Sequence, residues 1–168
     1  SLPFVPKTIM DELAGAKRYF DMKTRCIFCD MLSEEKKINQ RTVLENAGYF
    51  AWSPFAARFP FEVWVLPKAH QSEFLYADSN TFSDLAGLLK TVLTRIEKVL
   101  GPVPLSFILH TAPLRWDGTE DGSYIPSVYH WHIEILPKIT VPAGFELSTG
   151  VEINVIDPNS AAAILRRP

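Results

Sequence analysis

His130-Trp131-His132-Ile133-Glu134-Ile135-Leu136-Pro137 alternates polar and apolar side chains from residue 130 to residue 135. A period of two marks a half-buried strand, because successive side chains leave opposite faces of the pleat. His130, His132 and Glu134 therefore share one face, and Trp131, Ile133 and Ile135 share the other. The apolar face predicts packing on a core, and the polar face predicts a site carried by a rigid element. Half of the four histidines lie here, while the only two cysteines, Cys26 and Cys29, sit far upstream at metal-ligand spacing. What the site is depends on whether folding brings the two groups together.

Around this strand, short apolar runs at residues 42–45, 49–52 and 62–66 read as consecutive antiparallel strands, with Asn46-Ala47-Gly48 as a tight turn. Residues 105–110 read as a further strand, 129–137 as the site strand and 114–127 as a long loop. Residues 6–22 place Ile9, Leu13, Ala16 and Phe20 at helical spacing behind a proline. The strongest helix covers 80–100, opened by the capping candidates Asp78, Ser79 and Asn80 and closed by Gly101-Pro102. Its broad stripe, from Phe82 and Leu85 to Val99 and Leu100, predicts a helix lying across the sheet. A terminal helix is expected over 161–166, and the charged stretch 33–41 reads as a solvated helix or loop. Strands and helices do not alternate as in a parallel sheet. The expected class is therefore α+β, an antiparallel sheet with helices packed on one face.

The chain's 168 residues, 47% of them hydrophobic, predict a single domain over 1–168 with a real core. A net charge of −2 supplies no field for nucleic acid or an anionic membrane, so neither is an expected partner. No apolar run of membrane-spanning length, leader-like segment or lipidation pattern is present, and the expected location is the cytoplasm.

Thiolates two residues apart can chelate one ion from a knuckle, and zinc then needs two more nitrogen or sulfur ligands. His70, at the end of a strand, and His130, opening the site strand, are the candidates. A redox pair and a pair of buried structural thiols are the competing readings. The knuckle precedes a charged segment instead of opening a helix after a strand, which speaks against redox. His132, as a neutral imidazole, could attack an α-phosphorus and carry a nucleotidyl group. The competing reading is a half-buried histidine with its hydrogen bonds satisfied.

Several stretches together resemble the galactose-1-phosphate uridylyltransferase branch of the histidine-triad superfamily, in particular the C-terminal of its two related halves. They are Cys26-Ile27-Phe28-Cys29-Asp30, the run from Pro54 through Leu66-Pro67-Lys68-Ala69-His70, Leu109-His110-Thr111-Ala112-Pro113, the site strand, and Ala143-Gly144-Phe145-Glu146-Leu147-Ser148-Thr149-Gly150. The resemblance implies a histidine-triad-like fold and a zinc held by Cys26, Cys29, His70 and His130. It places His132 at the nucleophile's position in a ping-pong exchange of nucleoside monophosphate between nucleoside diphosphate sugars and sugar 1-phosphates. It also implies that the Gly-aromatic-Glu segment, with Phe145 and Glu146, contributes to the sugar-phosphate side, and that the chain forms a homodimer or works with an N-terminal half. Phe55, Phe59, Phe61 and Trp64 are candidates for a dimer surface or for core filling.

The site strand departs from the family in carrying Glu134, a further substrate-side candidate, where the catalytic strand has glutamine. A glutamine amide donates to a phosphate oxygen, whereas an ionised glutamate only accepts and, if desolvated, repels it by about several kcal/mol. The expected protein is accordingly the zinc-stabilised C-terminal half of a two-half transferase, with chemistry in the other half. The alternatives are a stand-alone nucleotidyl transferase or hydrolase using His132, with Lys68, Arg58 or Arg115 meeting phosphate, and a non-catalytic nucleotide-binding module.

Overall fold

A computed structural model of the chain describes residues 5–76, 79–113 and 121–167. Helix α1 (Lys7–Lys23) ends on Thr24, whose left-handed conformation lets its amide bond Phe20 O. Helix α2 (Ile27–Ile38) begins directly behind Cys26. Strands β1 (Thr42–Glu45), β2 (Tyr49–Trp52) and β3 (Val63–Pro67) follow, then helix α3 (Ser79–Leu100) and strand β4 (Leu105–His110). Helix α4 (Ile125–Val128), strand β5 (His132–Pro137), helix α5 (Gly144–Thr149) and helix α6 (Pro158–Arg166) complete the order.

The strands form one antiparallel sheet in the order β1-β2-β3-β5-β4, so the α+β class and the strand assignments hold. The turn after β1 is closed by Asn46, whose Oδ1 accepts from Tyr49 N at 2.8 Å. On one face, Tyr49, Ala51, Val63, Val65, Trp131, Ile133 and Ile135 pack against Leu85, Leu88, Val92 and Ile96 of α3 and Ala162 and Leu165 of α6. The expectation of helices on one face describes this layer. The opposite face carries helices as well: Phe50, Trp52 and Leu66 pack with Leu13 and Ala16 of α1, Phe28 of α2 and Val128 of α4. Strands β2 and β3 are buried on both faces, and that second burial needs a second helical layer.

Three segments depart from the sequence reading. The cysteine knuckle does open a helix, because Phe28, Met31, Leu32 and Glu35 turn inward at helical spacing while Ser33 and the charges at 34, 36 and 37 solvate the other side. Within the expected long loop, residues 121–128 form a 3₁₀ turn (Gly122–Tyr124) and α4, with Asp121 capping Ser123 N at 3.0 Å. The rest of that loop, with Arg115, lies outside the described residues, as does the capping candidate Asp78. A short helix, α5, occupies the Gly-aromatic-Glu segment. Among the described residues no helix is long and apolar enough to cross a membrane.

Candidate functional site

β5 sits between β3 and β4, and its register decides what surrounds its polar face. His110 of β4 lies opposite His132, and Trp64 of β3 opposite Glu134. The His110 and His132 rings stack at 4.5 Å, and Trp64 covers His132 from the other side at 5.1 Å. Trp131, Ile133 and Ile135 point into the α3 core, as the alternation requires.

His130, expected to open the site strand, lies two residues before β5 and turns toward the knuckle. Its Nδ1 is 3.5 Å from Cys29 Sγ, and His70 Nδ1 is 3.3 Å from the same sulfur. The donor atoms of Cys26, Cys29, His70 and His130 all lie within 4.8 Å of one another. The two imidazoles are oriented from behind: His130 Nε2 donates to Pro67 O at 3.0 Å and His70 Nε2 to Pro126 O at 2.8 Å. A ring whose Nε2 proton is engaged presents the lone pair of Nδ1, which faces the sulfurs. The thiols interact directly: the hydrogen bond from Cys29 pulls the Cys26 thiol down, and the same contact pushes Cys29 up. Two sulfurs and two ring nitrogens converging on one point form a donor set that could hold a tetrahedral zinc.

Further along β5, on the same face of the sheet, lies a cavity of about 510 Å³ whose lining includes Glu12, Phe28, Arg58, Trp64, His110, His132 and Glu134. His132 Nδ1 donates to His130 O at 3.0 Å, leaving the lone pair on Nε2. Burial lowers the pKa of His132, so the ring is neutral at pH 7. Its Nε2 faces Glu12 Oε1 at 3.5 Å. Glu12 Oε2 accepts from His110 Nδ1 at 2.9 Å, and His110 Nε2 lies 3.5 Å from Glu134 Oε2. Burial alone would push the His110 pKa down, but the contacts with Glu12 and Glu134 raise it to about 9. Burial would likewise push Glu134 up, yet His110 and Arg58 hold its carboxyl below its ordinary range. Arg58 bonds Glu134 and also meets Glu62 Oε1 at 3.5 Å. The donor atoms of Glu12, His110 and His132 lie within 4.8 Å of one another, with Glu12 and His110 already paired.

The expected residues thus separate into three places. Cys26, Cys29, His70 and His130 converge beside the start of β5; His132 and Glu134 line the cavity; Phe145 and Glu146 stand on α5, outside that lining. Glu146 Oε2 accepts from Ala143 N at 3.0 Å, and Phe145 is exposed. Lys68 is paired with Glu45 at 3.1 Å and does not line the cavity. Of the candidate dimer aromatics, Trp64 stacks on His132, Phe61 packs against the α3 core and Phe55 is exposed beside Arg41. Sequence reasoning gave no role to Glu12 or His110. Only the pairing of β4 with β5 could have pointed to His110, and Glu12 is visible only once α1 is docked.

The family described as galactose-1-phosphate uridyl transferase, C-terminal domain, matches residues 12–159. ADP-glucose phosphorylase of Arabidopsis thaliana is 37% identical over 166 residues, covering 99% of this chain and 44% of the relative. Its crystal structure with bound ADP-glucose aligns at a TM-score of 0.86 and 36% identity, over 99% of this chain and 51% of that one. Galactose-1-phosphate uridylyltransferase of Thermotoga maritima is 31% identical over 173 residues, covering 99% of this chain and 52% of the relative. A histidine triad nucleotide-binding protein of Sulfolobus tokodaii, at 21% identity and a TM-score of 0.55 over 84% of this chain and 89% of that one, shares the fold. The chain spans about half the length of the curated relatives it matches.

Proposed function

The chain belongs to the galactose-1-phosphate uridyl transferase C-terminal domain family, and on that premise we propose that it is the zinc-bearing half of a nucleotidyltransferase acting on sugar 1-phosphates and nucleoside diphosphate sugars. In this reading Cys26, Cys29, His70 and His130 hold the zinc. Four protein donors leave it no open position, so its contribution is structural: it ties the start of α2 to the end of β3 and the start of β5. Phe145 and Glu146 supply contacts to the sugar phosphate, and their support is that both stand clear of the core. A glutamate whose oxygens accept hydrogen bonds suits sugar hydroxyls. The nucleotidyl exchange belongs to a second half, and the location is cytoplasmic.

The observation that carries this reading is the obstructed histidine. His132 stands at the nucleophile's position, but Glu12 Oε1 is 3.5 Å from its Nε2, and Glu134 engages both Arg58 and the protonated His110, the cations lining the cavity that would otherwise meet a phosphate. A phosphodiester approaching Nε2 would have to displace one carboxylate and lie beside another. In a half-buried setting that repulsion costs several kcal/mol, to order of magnitude.

One observation favours a second reading, a stand-alone transferase or hydrolase. The bond from His132 Nδ1 to His130 O holds the ring in the tautomer with a free Nε2 lone pair, as a nucleophile requires. Incubation with ADP-glucose or UDP-glucose labelled at the phosphate attached to the nucleoside separates the two. Binding of glucose 1-phosphate without label supports the first; acid-labile label on His132, absent in His132→Ala, overturns it. Absence of both label and sugar-phosphate binding leaves a non-catalytic module.

A further inference from the structure

The sequence argues against a redox pair at Cys26 and Cys29 only through the missing helix behind the knuckle, and the structure supplies that helix. Cys26 is the N-cap of α2, and Cys29 lies in its first turn. Asp30 N donates to Cys26 O at 3.1 Å, which closes that turn. Cα atoms three residues apart on a helical turn are about 5 Å apart, inside the range of about 4.4 to 6.8 Å that a disulfide spans. The two sulfurs lie within 4.8 Å of each other, and both cysteines are free. A Cys-x-x-Cys pair at a helix start is an arrangement in which thiols exchange electrons.

The two cysteines differ in access. Cys26 is buried at 6% exposure, whereas Cys29 is half-buried and sits beside the exposed His70. A small oxidant therefore reaches Cys29 first, and Cys26 is in place to resolve the product. The two histidines are held independently of the sulfurs, by Pro126 O and Pro67 O. Joining the sulfurs leaves both rings where they are but removes two of the four donors. It also removes both negative charges that balance a divalent ion.

We infer that Cys26 and Cys29 are a thiol–disulfide switch on the metal site: a hydroperoxide converts them to an intrachain disulfide, and the chain gives up its zinc. The inference rests on the zinc reading above. Metal binding keeps both sulfurs as thiolates, the form that attacks. Cys29 Sγ attacks one oxygen of the hydroperoxide, the O–O bond breaks, and the departing alkoxide or hydroxide takes a proton from solvent. Cys29 is then a sulfenic acid. Cys26 Sγ attacks Cys29 Sγ, the S–O bond breaks, and hydroxide leaves and takes a second proton. Two electrons pass from the sulfur pair to the peroxide bond, so a thiol reductant reverses the change.

Metal analysis of the reduced chain comes first, and a chain without zinc removes the zinc reading and this inference together. The zinc-loaded chain is then treated with hydrogen peroxide while a chromogenic chelator reports free metal. The expected result is one zinc released per chain, the loss of both thiols, and a tryptic peptide 26–36 lighter by two hydrogens. Dithiothreitol followed by added zinc is expected to restore the starting state. With dimedone present to trap sulfenic acid, Cys26→Ser is expected to carry label at position 29, and Cys29→Ser none at position 26. Zinc retained while glutathione in the same solution is oxidised, zinc lost with Cys29 carried on to a sulfinic acid, or a bridge between two chains overturns the switch and leaves the zinc reading standing. Label at position 26 but not at position 29 overturns Cys29 as the attacking sulfur.

Discussion

His110 Nδ1 donates to Glu12 Oε2 at 2.9 Å, joining residues 98 positions apart in the chain and fastening α1 to the end of β4. The pair is only partly screened, with side-chain exposures of 14% and 22%. The pKa of His110 is raised to about 9, because its contacts with Glu12 and Glu134 outweigh the lowering by burial. An unfolded histidine titrates near 6.5, so the stabilisation is complete below about 6.5 and disappears as pH rises through about 9. Urea denaturation at about pH 6 and about pH 10 is expected to show a loss of about 1 kcal/mol attributable to this group after allowing for solvent screening. Glu12→Gln is expected to flatten much of that slope. Parallel pH profiles for the two proteins would refute the pairing.

The donor set beside the start of β5 leads to a metal prediction. Protein purified with zinc is expected to hold one ion per chain by elemental analysis, and Cys26→Ser to hold none. Because the four donors come from α2, the segment after β3 and the segment before β5, losing the ion releases three elements at once. Chelation is expected to lower stability by about 3 kcal/mol or more, read as a fall in melting temperature. Unchanged zinc in Cys26→Ser would remove the assignment.

Much of this site is legible in local sequence. The alternation from His130 to Ile135 reports the two faces of β5 because side-chain direction in a strand is a local property. The cysteine spacing reports a knuckle for the same reason. His110 against His132 is different: it depends on which strands pair and in what register, and long-range pairing leaves no local trace. Glu12 is one acid on an amphipathic helix until Leu13 and Ala16 are buried, and only then does it reach His132. The opening of α2 at the knuckle was obscured by Ser33, Glu34, Lys36 and Lys37, which interrupt the apolar spacing of Phe28, Met31 and Leu32. The second helical layer follows from β2 and β3 being apolar on both faces, a signal present in Tyr49-Phe50-Ala51-Trp52 as an unbroken apolar run.

Arg58 has a stability role that the cavity makes measurable. Glu134 is almost completely buried, and the Arg58 guanidinium is its nearest fixed cation. Arg58→Ala would leave Glu134 facing only His110, whereas Glu62 keeps bonds from Arg58 N, Phe59 N and Trp64 Nε1. Breaking a buried pair costs about 3 to 5 kcal/mol, and the half-exposed Arg58 brings the expected loss to about 2 kcal/mol. Arg58→Lys is expected to recover only part of it, since an ammonium lacks the planar fork that addresses two carboxylates. Urea midpoints decide the matter, and a loss under about 0.5 kcal/mol would assign Arg58 to the ordinary surface.

Glu146 offers the opposite pattern, a small effect on folding and a large one on ligand. Its carboxylate bonds Ala143 N at the start of α5, a six-residue helix without buried residues. Removing that bond is expected to cost at most about 1 kcal/mol. If the Gly-aromatic-Glu segment contacts sugar hydroxyls, Glu146→Ala loses hydrogen bonds to the ligand as well, and affinity for glucose 1-phosphate is expected to fall by about tenfold or more. Glu146→Gln keeps a carbonyl acceptor for Ala143 N and for one hydroxyl, so it is expected to fall between the two. Calorimetric titration of the three proteins under one buffer condition measures this, with thermal unfolding run in parallel. Equal affinity in wild type and Glu146→Ala would remove α5 from the sugar-phosphate side, whatever the outcome at zinc or at His132.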